Sequence, residues 1–388
     1  MKILQVTNII CHLQLPLARS ITKLVGEKNF RFVATAPPDP ERTKLGWNQS
    51  VQESWILRAG ETESERDEFE RWWDEADIVF CGDRRFDRML DRLKSGKICF
   101  YMSERWWKPP LGKGRMFWPP FFKLVKRFRE MTKYPQFHYL PIGVYAARDI
   151  KVISDDLRNM WKWGYFLDGH GGNNFESVKF EKQNKLNVLW AGRMLGWKKV
   201  DTLIKATAEA LSNGASVKLT IVGAGPERDA WQKLASRLLP SGSYEFMNPV
   251  PPSEVLNLML QHDVYVLPSN AYEGWGAVVN EAMECGSVVL ANKEAGASAS
   301  MIEHGENGLL FSSGDWRTLA QHLVQLESNP SLRQSLARSA QKTVQTLWSP
   351  DVAAGRMVEL CKSLLSNRPP SRYKYGVLSD ASNWLSNR

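Results

Sequence analysis

Two acids, Glu273 and Glu281, stand eight positions apart in the stretch NAYEGWGAVVNEAMECG, residues 270–286. Glu273 precedes a Gly-Trp-Gly turn and Glu281 falls where apolar spacing resumes, so we predict a loop for the first acid and a helix for the second. Gly274 and Gly276 permit the backbone to approach a ligand and leave N–H groups at the start of that helix. From about one turn into the helix, Glu281 would reach back to hydroxyl groups of the ligand.

Two cationic residues lie at another connection between a predicted strand and a predicted helix. Arg193 and Lys198 lie five positions apart in AGRMLGWKK, between a predicted strand and a predicted helix. Ligands of open α/β sheets bind at the carboxyl ends of strands, next to helix N-termini, and two fixed cations there would suit a diphosphate. The structural alternative is that both cations only cap or solvate the loop. The nearby turn VGAGPERDA is typical of any tight strand-to-helix connection and by itself indicates no ligand.

Alternating strand and helix patterns surround these motifs. Strand-like stretches such as KILQVT, ADIVFCGD and KICFYMSE are separated by helix-like stretches such as ETESERDEFERWWDE, and a second series runs from LNVLWAGR to SVVLAN. This alternation predicts right-handed βαβ units, and therefore an α/β protein with two doubly wound parallel-sheet domains.

The chain has 388 residues, which is more than a single hydrophobic core ordinarily serves, so the length also predicts two domains. We place the boundaries as follows: an N-terminal Rossmann-like domain over 1–150, a polar, Gly-rich linker or excursion over 151–185, a C-terminal Rossmann-like domain over 186–350, and a C-terminal helix and tail over 351–388.

The composition narrows the class of protein. A hydrophobic content of 43% and a charged content of 24% are those of a soluble globular protein, and no apolar run reaches the roughly 20 residues of a membrane span. The five cysteines are odd in number and lack CxxC spacing, which suits a reducing compartment and argues against a disulfide framework or a zinc site. We therefore expect a cytoplasmic protein.

A basic, aromatic segment over residues 104–134 carries nine Lys or Arg residues against two Glu. Within it, FFKLVKRFREMT has one apolar and one basic helical face, which is typical of a helix at an anionic membrane surface. On that interpretation the membrane-facing residues are Trp118, Phe121, Phe122, Lys123, Lys126, Arg127 and Phe128. The alternative is an ordinary amphipathic helix packed on the first domain. Nucleic-acid binding has only the basic patch in its favour and is not expected.

The motifs of the second series resemble the donor half of glycosyltransferase family 4, which comprises retaining enzymes of GT-B fold. They are, in order over about 130 residues, AGRMLGWKKVDTLIKA, LTIVGAGPERDAW, DVYVLPSNAYEGWGAVVNEAMECGSVVLAN and MIEHGENGLLF. Glu273 and Glu281 form the E-x7-E motif. The resemblance implies two Rossmann-like domains that face each other across a cleft, with the C-terminal helix and tail returning to the N-terminal domain.

The same resemblance implies roles for single residues. Arg193 and Lys198 would bind the donor's diphosphate and stabilise it as the leaving group. Glu281 would bond the ribose hydroxyls, and Glu273 would face the transferred sugar. Lys199 stands where the family usually has glycine, a surface change that we expect to be harmless. The remaining donor-side residues are Gly274, Trp275 and Gly276, whose amides would border the phosphates, and Gly223, Gly225 and Val250, which would border the base.

The first domain departs from the family pattern. Family members commonly carry a Gly-Gly loop after the first strand, whereas TNIICHLQLPLARS contains no glycine. His12, Gln14 and Arg19 are candidates to replace its contacts, unless the acceptor binds differently. His12 is placed for acid or base work, with a plain loop histidine as the alternative. Glu104 and Arg105 stand where the family has a histidine and are candidates for acceptor or donor-sugar contacts.

The resulting hypothesis is a retaining glycosyltransferase that moves a sugar from a nucleotide sugar, expected to be a UDP-sugar, to a glycan or lipid-linked acceptor in bacterial cell-surface polysaccharide or glycoconjugate assembly. The sequence has no Asp-x-Asp motif, so we expect no metal and no other cofactor. The alternatives are a GDP-mannose-type donor in the same fold and a catalytically silent, membrane-associated binding subunit. The expected location is the cytoplasm, peripheral on the inner face of the membrane; the oligomeric state does not follow from the sequence.

Overall fold

The computed structural model describes residues 1–10, 12–37, 53–108, 111–155, 157–167 and 185–385. The chain forms two compact units: unit 1 comprises Met1–Asp168 and Leu347–Arg388, and unit 2 comprises Gly169–Thr346. Each unit has its own parallel sheet.

Unit 1 is built on six parallel strands, β1 (Ile3–Thr7), β2 (Phe30–Ala34), β3 (Ile56–Arg58), β4 (Ile78–Cys81), β5 (Ile98–Ser103) and β6 (Phe137–Pro141). Their order is β3-β2-β1-β4-β5-β6, so the direction of winding reverses between β1 and β4. In register, Ile3 pairs with Phe30 on one side and with Ile78 on the other. A doubly wound sheet binds its ligands at such a reversal.

Helices connect these strands: α1 (Leu15–Val25), α2 (Glu63–Glu75), α3 (Phe86–Lys94), α4 (Pro119–Met131) and α5 (Val144–Lys151). Short 3-10 turns lie at Glu27–Asn29 and Gly112–Phe117. Helix α2 begins at an N-cap threonine: the Thr62 hydroxyl accepts from the Glu65 N–H at 3.2 Å and donates to the Glu65 carboxylate at 3.1 Å. Its buried Phe69, Trp72 and Trp73 fix the acidic helix to the sheet.

Unit 2 repeats the same plan. Its strands are β7 (Leu186–Ala191), β8 (Val217–Val222), β9 (Tyr244–Met247), β10 (Val264–Leu267), β11 (Val288–Asn292) and β12 (Leu309–Phe311). The order is β12-β11-β10-β7-β8-β9, and the reversal falls between β7 and β10. The loops that follow β7 and β10 contain the predicted cations and the first predicted acid.

The helices of unit 2 are α6 (Val200–Ser212), α7 (Arg228–Leu238), α8 (Pro252–Gln261), α9 (Val278–Glu284), α10 (Gly296–Met301), α11 (Trp316–Ser328) and α12 (Pro330–Thr343), with a 3-10 turn at Gly196–Lys198. The apolar face predicted for α6 is the one that is buried, since Val200, Leu203 and Ile204 have no exposed surface. They pack in a core with Trp190 and Val266 of the strands.

The C-terminal segment belongs to unit 1. After a π-helical turn at Val344–Trp348, α13 (Pro350–Leu365) packs on α1, and Ser20 donates to Asp351 at 2.6 Å. The tail beyond α13 bonds to the backbone near residue 162, where the Lys162 N–H donates to the Ser379 carbonyl at 2.9 Å. The tail side chains Val377, Leu378, Ala381 and Trp384 are buried.

The predicted fold class is confirmed, because each unit has a six-stranded parallel sheet wound in both directions and the C-terminal helix returns to the N-terminal unit. The tail, for which the sequence pattern predicts no structure, is part of the unit 1 core. Throughout the described ranges, the structure contains no helix that combines the length and the apolar character needed to cross a membrane.

Candidate functional site

The two loops at the reversal point of unit 2 are tied together. One follows β7 and carries Arg193 and Lys198; the other follows β10 and carries Glu273. The Asn270 N–H donates to the Trp197 carbonyl at 3.1 Å, which joins the loops through their backbones. The structure therefore brings the predicted cations and the predicted loop acid to one edge of one sheet.

Lys198 is held between a carboxylate and an aromatic ring. Its Nζ donates to Glu273 Oε2 at 2.5 Å, and only 16% and 12% of the two side chains are exposed. The ammonium also lies 4.2 Å from the centre of the Trp197 ring, which is stacked on Tyr272 at 6.5 Å. Partial burial and a cation–π contact strengthen such a pair, so Lys198 has one fixed position. Trp197 and Tyr272 were not predicted as site residues; their positions beside the motif residues were the only sequence signal.

Arg193 differs from Lys198. Its side chain is exposed, and within the described ranges no acidic group pairs with it. The loop around it is rigid, because Met194 donates to the Ala224 carbonyl at 2.8 Å and accepts from the Glu227 N–H at 3.1 Å. Arg193 thus offers a positive charge from a fixed backbone to an incoming anion.

Gly223 and Gly225 support that loop. Their φ angles are +141° and +151°, and a Cβ atom at either position would lie 1.9 Å from the Gly192 carbonyl oxygen or 2.5 Å from that of Met194. Only glycine allows the turn after β8 to pack this closely on the loop after β7. The structure gives both glycines a positioning role, and a contact with a nucleotide base stays a prediction. Val250 is half-buried in the loop between β9 and α8, at the sheet edge.

The Gly-Trp-Gly turn is fixed by its tryptophan. Trp275 is buried, and its indole N–H donates to Asn280 of α9 at 2.9 Å, so its side chain is an anchor and only its backbone is placed for a ligand. In the part of the chain that the structure describes, the N–H groups of Gly274 and Gly276 have no hydrogen-bond acceptor. Because buried turns normally pair their N–H groups, two free donors at this edge favour an anionic ligand.

Glu281 lies in the first turn of α9 and is half-buried. Burial raises the pKa of its carboxyl to about 7. Tyr265 of β10 is affected by both acids. Burial raises the pKa of its phenol, and the negative charges of Glu281 and Glu273 raise that pKa further. The phenol itself donates to the Ala191 carbonyl at 3.0 Å. Both acids therefore lie near one buried ring between β7 and β10.

Unit 1 contains a cavity of about 610 Å³ at its own reversal point. The loops that follow β1, β4 and β5 line it, and three of the five candidate residues of the first domain, Gln14, Glu104 and Arg105, are among its walls. His12 lies outside this lining, and burial lowers the pKa of its imidazole. Two lining residues, Arg84 and Arg115, were not predicted as site residues. The sequence indicates Arg84 only by its position after a predicted strand, and Arg115 only by its position in the basic segment.

Buried Asp149 fixes the wall of this cavity. Its Oδ2 accepts from the N–H groups of Trp106 and Trp107 at 2.8 and 3.0 Å, and its Oδ1 accepts from Arg105 at 3.4 Å. The carboxylate of Asp149 therefore fixes the backbone of residues 106 and 107 and the side chain of Arg105 in the cavity wall.

The prediction that Phe121 and Phe128 face a membrane is wrong. Phe121 is 3% exposed and Phe128 is fully buried, because the apolar face of α4 packs against Trp106 and the strands of unit 1. Arg127 pairs with Asp87 at 2.7 Å. Of the predicted set, Trp118 and Phe122 are more than half exposed and Lys123 and Lys126 are exposed.

Among the described residues, no group of three or more His, Cys, Asp or Glu side chains is arranged to hold a metal ion. Metal-independent chemistry stays a prediction.

Comparisons with known proteins agree with the predicted family resemblance. Residues 173–343 match the family model described as Glycosyl transferases group 1. A GDP-mannose-dependent monoacylated alpha-(1-6)-phosphatidylinositol monomannoside mannosyltransferase of Corynebacterium glutamicum is 23% identical over 62% of this chain and 60% of its own. A D-inositol 3-phosphate glycosyltransferase of Corynebacterium urealyticum is 31% identical over 45% of this chain and 42% of its own. The chain thus matches less than two thirds of the length of these relatives.

Among solved structures, that of Anabaena Alr3699/HepE in complex with UDP is similar to this chain, with a TM-score of 0.66 and 18% sequence identity. The superposition covers 94% of this chain and 100% of the Anabaena chain. At that identity the likeness establishes the fold. The family resemblance predicted from the ordered motifs is confirmed.

Proposed function

We propose that this chain is a retaining, metal-independent glycosyltransferase that moves a sugar from a nucleotide sugar to a glycan or lipid-linked acceptor in polysaccharide or glycoconjugate assembly. The observation that carries the proposal is the group formed by Arg193, Lys198 and Glu273 at the reversal point of unit 2. It lies within the part of the chain that matches the glycosyltransferase family model.

The chemistry of sugar transfer fits these side chains. Cleaving a glycosyl–phosphate bond creates positive charge at the anomeric carbon and additional negative charge on the departing diphosphate. Arg193 and Lys198 would neutralise the diphosphate, and the free N–H groups of Gly274 and Gly276 would bond its oxygens. The carboxylate of Glu273 would face the sugar, and Glu281 would accept hydrogen bonds from the ribose.

The activity test is hydrolysis of the donor. Because Lys198 stabilises charge that grows in the transition state, Lys198→Ala should lower the rate at least about 100-fold, as should Glu273→Gln. Lys205→Ala is the matched control, since Lys205 is a surface lysine paired with Asp201 at 3.4 Å on the adjoining helix. Equal rates with and without EDTA would support metal independence. Nucleotide-dependent stabilisation without any turnover would instead support the silent binding subunit.

The donor that we propose is a UDP-sugar. Support comes from Anabaena Alr3699/HepE, whose structure is in complex with UDP. GDP-mannose is the alternative, since the Corynebacterium glutamicum relative depends on it. A thermal-shift screen of UDP-, GDP-, ADP- and dTDP-sugars separates them: the largest increase in melting temperature should come with a UDP-sugar, and a larger increase with GDP-mannose would overturn that choice.

We also propose that unit 1 docks on an anionic membrane, through a surface different from the predicted helix face. The docking surface consists of Leu111, Phe117, Trp118 and Phe122, whose exposed fractions are 65%, 90%, 59% and 55%. Exposed Lys113, Lys123 and Lys126 lie in the same segment. Large apolar side chains with nearby lysines are suited to an anionic lipid surface.

A further inference from the structure

The cavity of unit 1 contains more positive than negative charge. Its lining includes four cationic side chains, Arg84, Arg105, Lys108 and Arg115, and two acidic ones, Asp83 and Glu104. The charge that a ligand meets depends on which of these are already paired.

Both acids are already neutralised. Asp83 is buried, and its Oδ2 accepts from Arg85 at 2.7 Å and from Thr35 at 3.1 Å. Glu104 accepts from Lys108 at 2.5 Å through Oε2 and from the Tyr165 hydroxyl at 2.9 Å through Oε1. Neither carboxylate is left to receive a cationic group of a ligand.

Two of the four cations are also neutralised, and two are not. Lys108 pairs with Glu104, and Arg105 pairs with Asp149 at 3.4 Å. Over the ranges that the structure describes, Arg84 and Arg115 have no acidic partner. Among the described residues, the one side-chain hydrogen bond of Arg115 goes from Nη1 to the Trp106 carbonyl at 3.4 Å, which leaves most of its five N–H donors for another acceptor.

From this charge balance we infer that the cavity binds an acceptor that carries a phosphate or a carboxylate, with Arg84 and Arg115 as its binding residues. This inference rests on the proposed transferase function, since it names the class of acceptor. A guanidinium group matches the geometry of either anion with two parallel hydrogen bonds. Two unpaired cations in a concave site also focus a positive potential on the ligand.

The other walls suit the body of a sugar. Aromatic side chains of the lining are buried in the protein, so their positions are fixed, and they give the cavity an apolar surface next to the cations: Tyr101, Trp106, Phe121, Trp163 and Phe166. Aromatic walls with a small number of placed polar groups are typical of a small-molecule site. Aromatic walls together with the two unpaired arginines should bind an anionic sugar more tightly than a neutral one.

The test uses the full chain and four probes: methyl α-glucoside, glucuronate, glucose 6-phosphate and dodecyl phosphate. Binding is measured by calorimetry for the unchanged protein, for Arg84→Gln/Arg115→Gln, and for Arg66→Gln as control, since Arg66 is exposed and lies outside the lining. We expect the unchanged protein to bind an anionic probe at least tenfold more tightly than methyl α-glucoside. The double variant should lose that preference and the control should keep it.

The outcomes separate the sources of the anion. Tighter binding of glucose 6-phosphate or glucuronate assigns the anion to a glycan, and tighter binding of dodecyl phosphate assigns it to a lipid phosphate; both support the site. Equal affinity for the neutral and anionic probes, or an anion preference that survives in the double variant, overturns it. The thermal shift with UDP-glucose, measured on the same proteins, reports the donor side: its absence from the unchanged protein counts against the proposed function and not against the anion site.

Discussion

At the scale of single residues, Lys199 shows how a substitution that looks harmless can carry strain. It precedes α6 with φ +54° and ψ +38°, in the left-handed region. The glycine that the family usually has here adopts that conformation freely, whereas a side chain is disfavoured in it. The expectation that this position is a surface change without effect therefore misses a conformational cost.

Lys199→Gly should consequently stabilise the protein by about 0.5–1 kcal/mol, after allowing for the greater freedom of glycine in the unfolded chain. Urea unfolding measures this difference. Lys205→Gly, in the interior of the same helix, is the control and should destabilise the protein by about 1 kcal/mol. A loss of stability in Lys199→Gly would contradict the strain argument.

Gly276 leaves room for the side chain of Glu273, the acid that we propose faces the sugar. Its φ is +90°, and a Cβ atom there would lie 3.0 Å from Leu267 Cδ2 and 3.2 Å from Glu273 Cγ. Gly276→Ala should displace Glu273 and lower donor hydrolysis by at least about tenfold. Gly314→Ala is the matched control, because Gly314 has a comparable φ of +75° with nothing within 4 Å of its Cβ position. If both variants lose the same activity, backbone strain and not the Glu273 contact is responsible.

Glu281 should make donor binding depend on pH. Its pKa of about 7 is above the ordinary 4.5, so in the donor-free protein the carboxyl is protonated below about pH 7 and ionised above it. In the proposed donor complex the carboxylate would accept hydrogen bonds from the ribose hydroxyl groups, so UDP-glucose should bind up to about tenfold more tightly at pH 8 than at pH 6. Calorimetry at both pH values measures this change. Glu281→Gln should bind with little pH dependence; an unchanged dependence would assign it to another group.

At the scale of elements, the apolar pattern of α4 illustrates what periodicity leaves open. The pattern correctly separates an apolar from a basic face, yet it contains no information on whether protein or lipid covers the apolar face. In the structure the sheet covers it, and the exposed aromatic side chains come from the preceding turn and the first residues of the helix. Such a turn has no periodicity from which it could be predicted.

Vesicle flotation tests the docking surface. Phe117→Glu/Trp118→Glu should reduce the fraction of protein that floats with vesicles of phosphatidylcholine and phosphatidylglycerol at least threefold, because each change replaces apolar contact with a charge repelled by the lipid. Leu24→Glu/Val152→Glu is the control, since both residues are about half exposed elsewhere on unit 1. Equal flotation of the two double variants would reject this surface.

At the scale of the whole molecule, alternation of strand and helix patterns was sufficient to predict two doubly wound sheets. The motif order also located Arg193, Lys198 and Glu273 in loops after strands and Glu281 on the following helix. The sequence could not predict that Lys198 pairs with Glu273 or that Tyr265 donates to the Ala191 carbonyl, because these contacts join loops and strands that are far apart in the chain. The return of the C-terminal tail to unit 1 was expected from the family resemblance alone, and its backbone pairing with residues near 162 has no local sequence signal.

That tail should be needed for the stability of unit 1. Removing residues 367–388 uncovers α13 and deletes the buried apolar side chains of the tail, among them Leu378 and Trp384. We expect the free energy of unfolding to fall by about 3–5 kcal/mol, measured by urea unfolding. Tyr375→Ser is the control, since the Tyr375 side chain is 58% exposed, and it should leave stability nearly unchanged. A truncated protein as stable as this control would mean that the tail packs without contributing.

The ion pair between Lys198 and Glu273 has a kinetic consequence for the empty protein. Each partner cancels the other's charge, so at a distance the pair adds little to the attraction of this edge of unit 2 for an anion. Opposite charges this close appear nearly neutral from beyond about 10 Å at moderate salt. Lys198 should therefore contribute to donor binding after contact and not to the rate of encounter, because the ligand must first compete with Glu273 for the lysine.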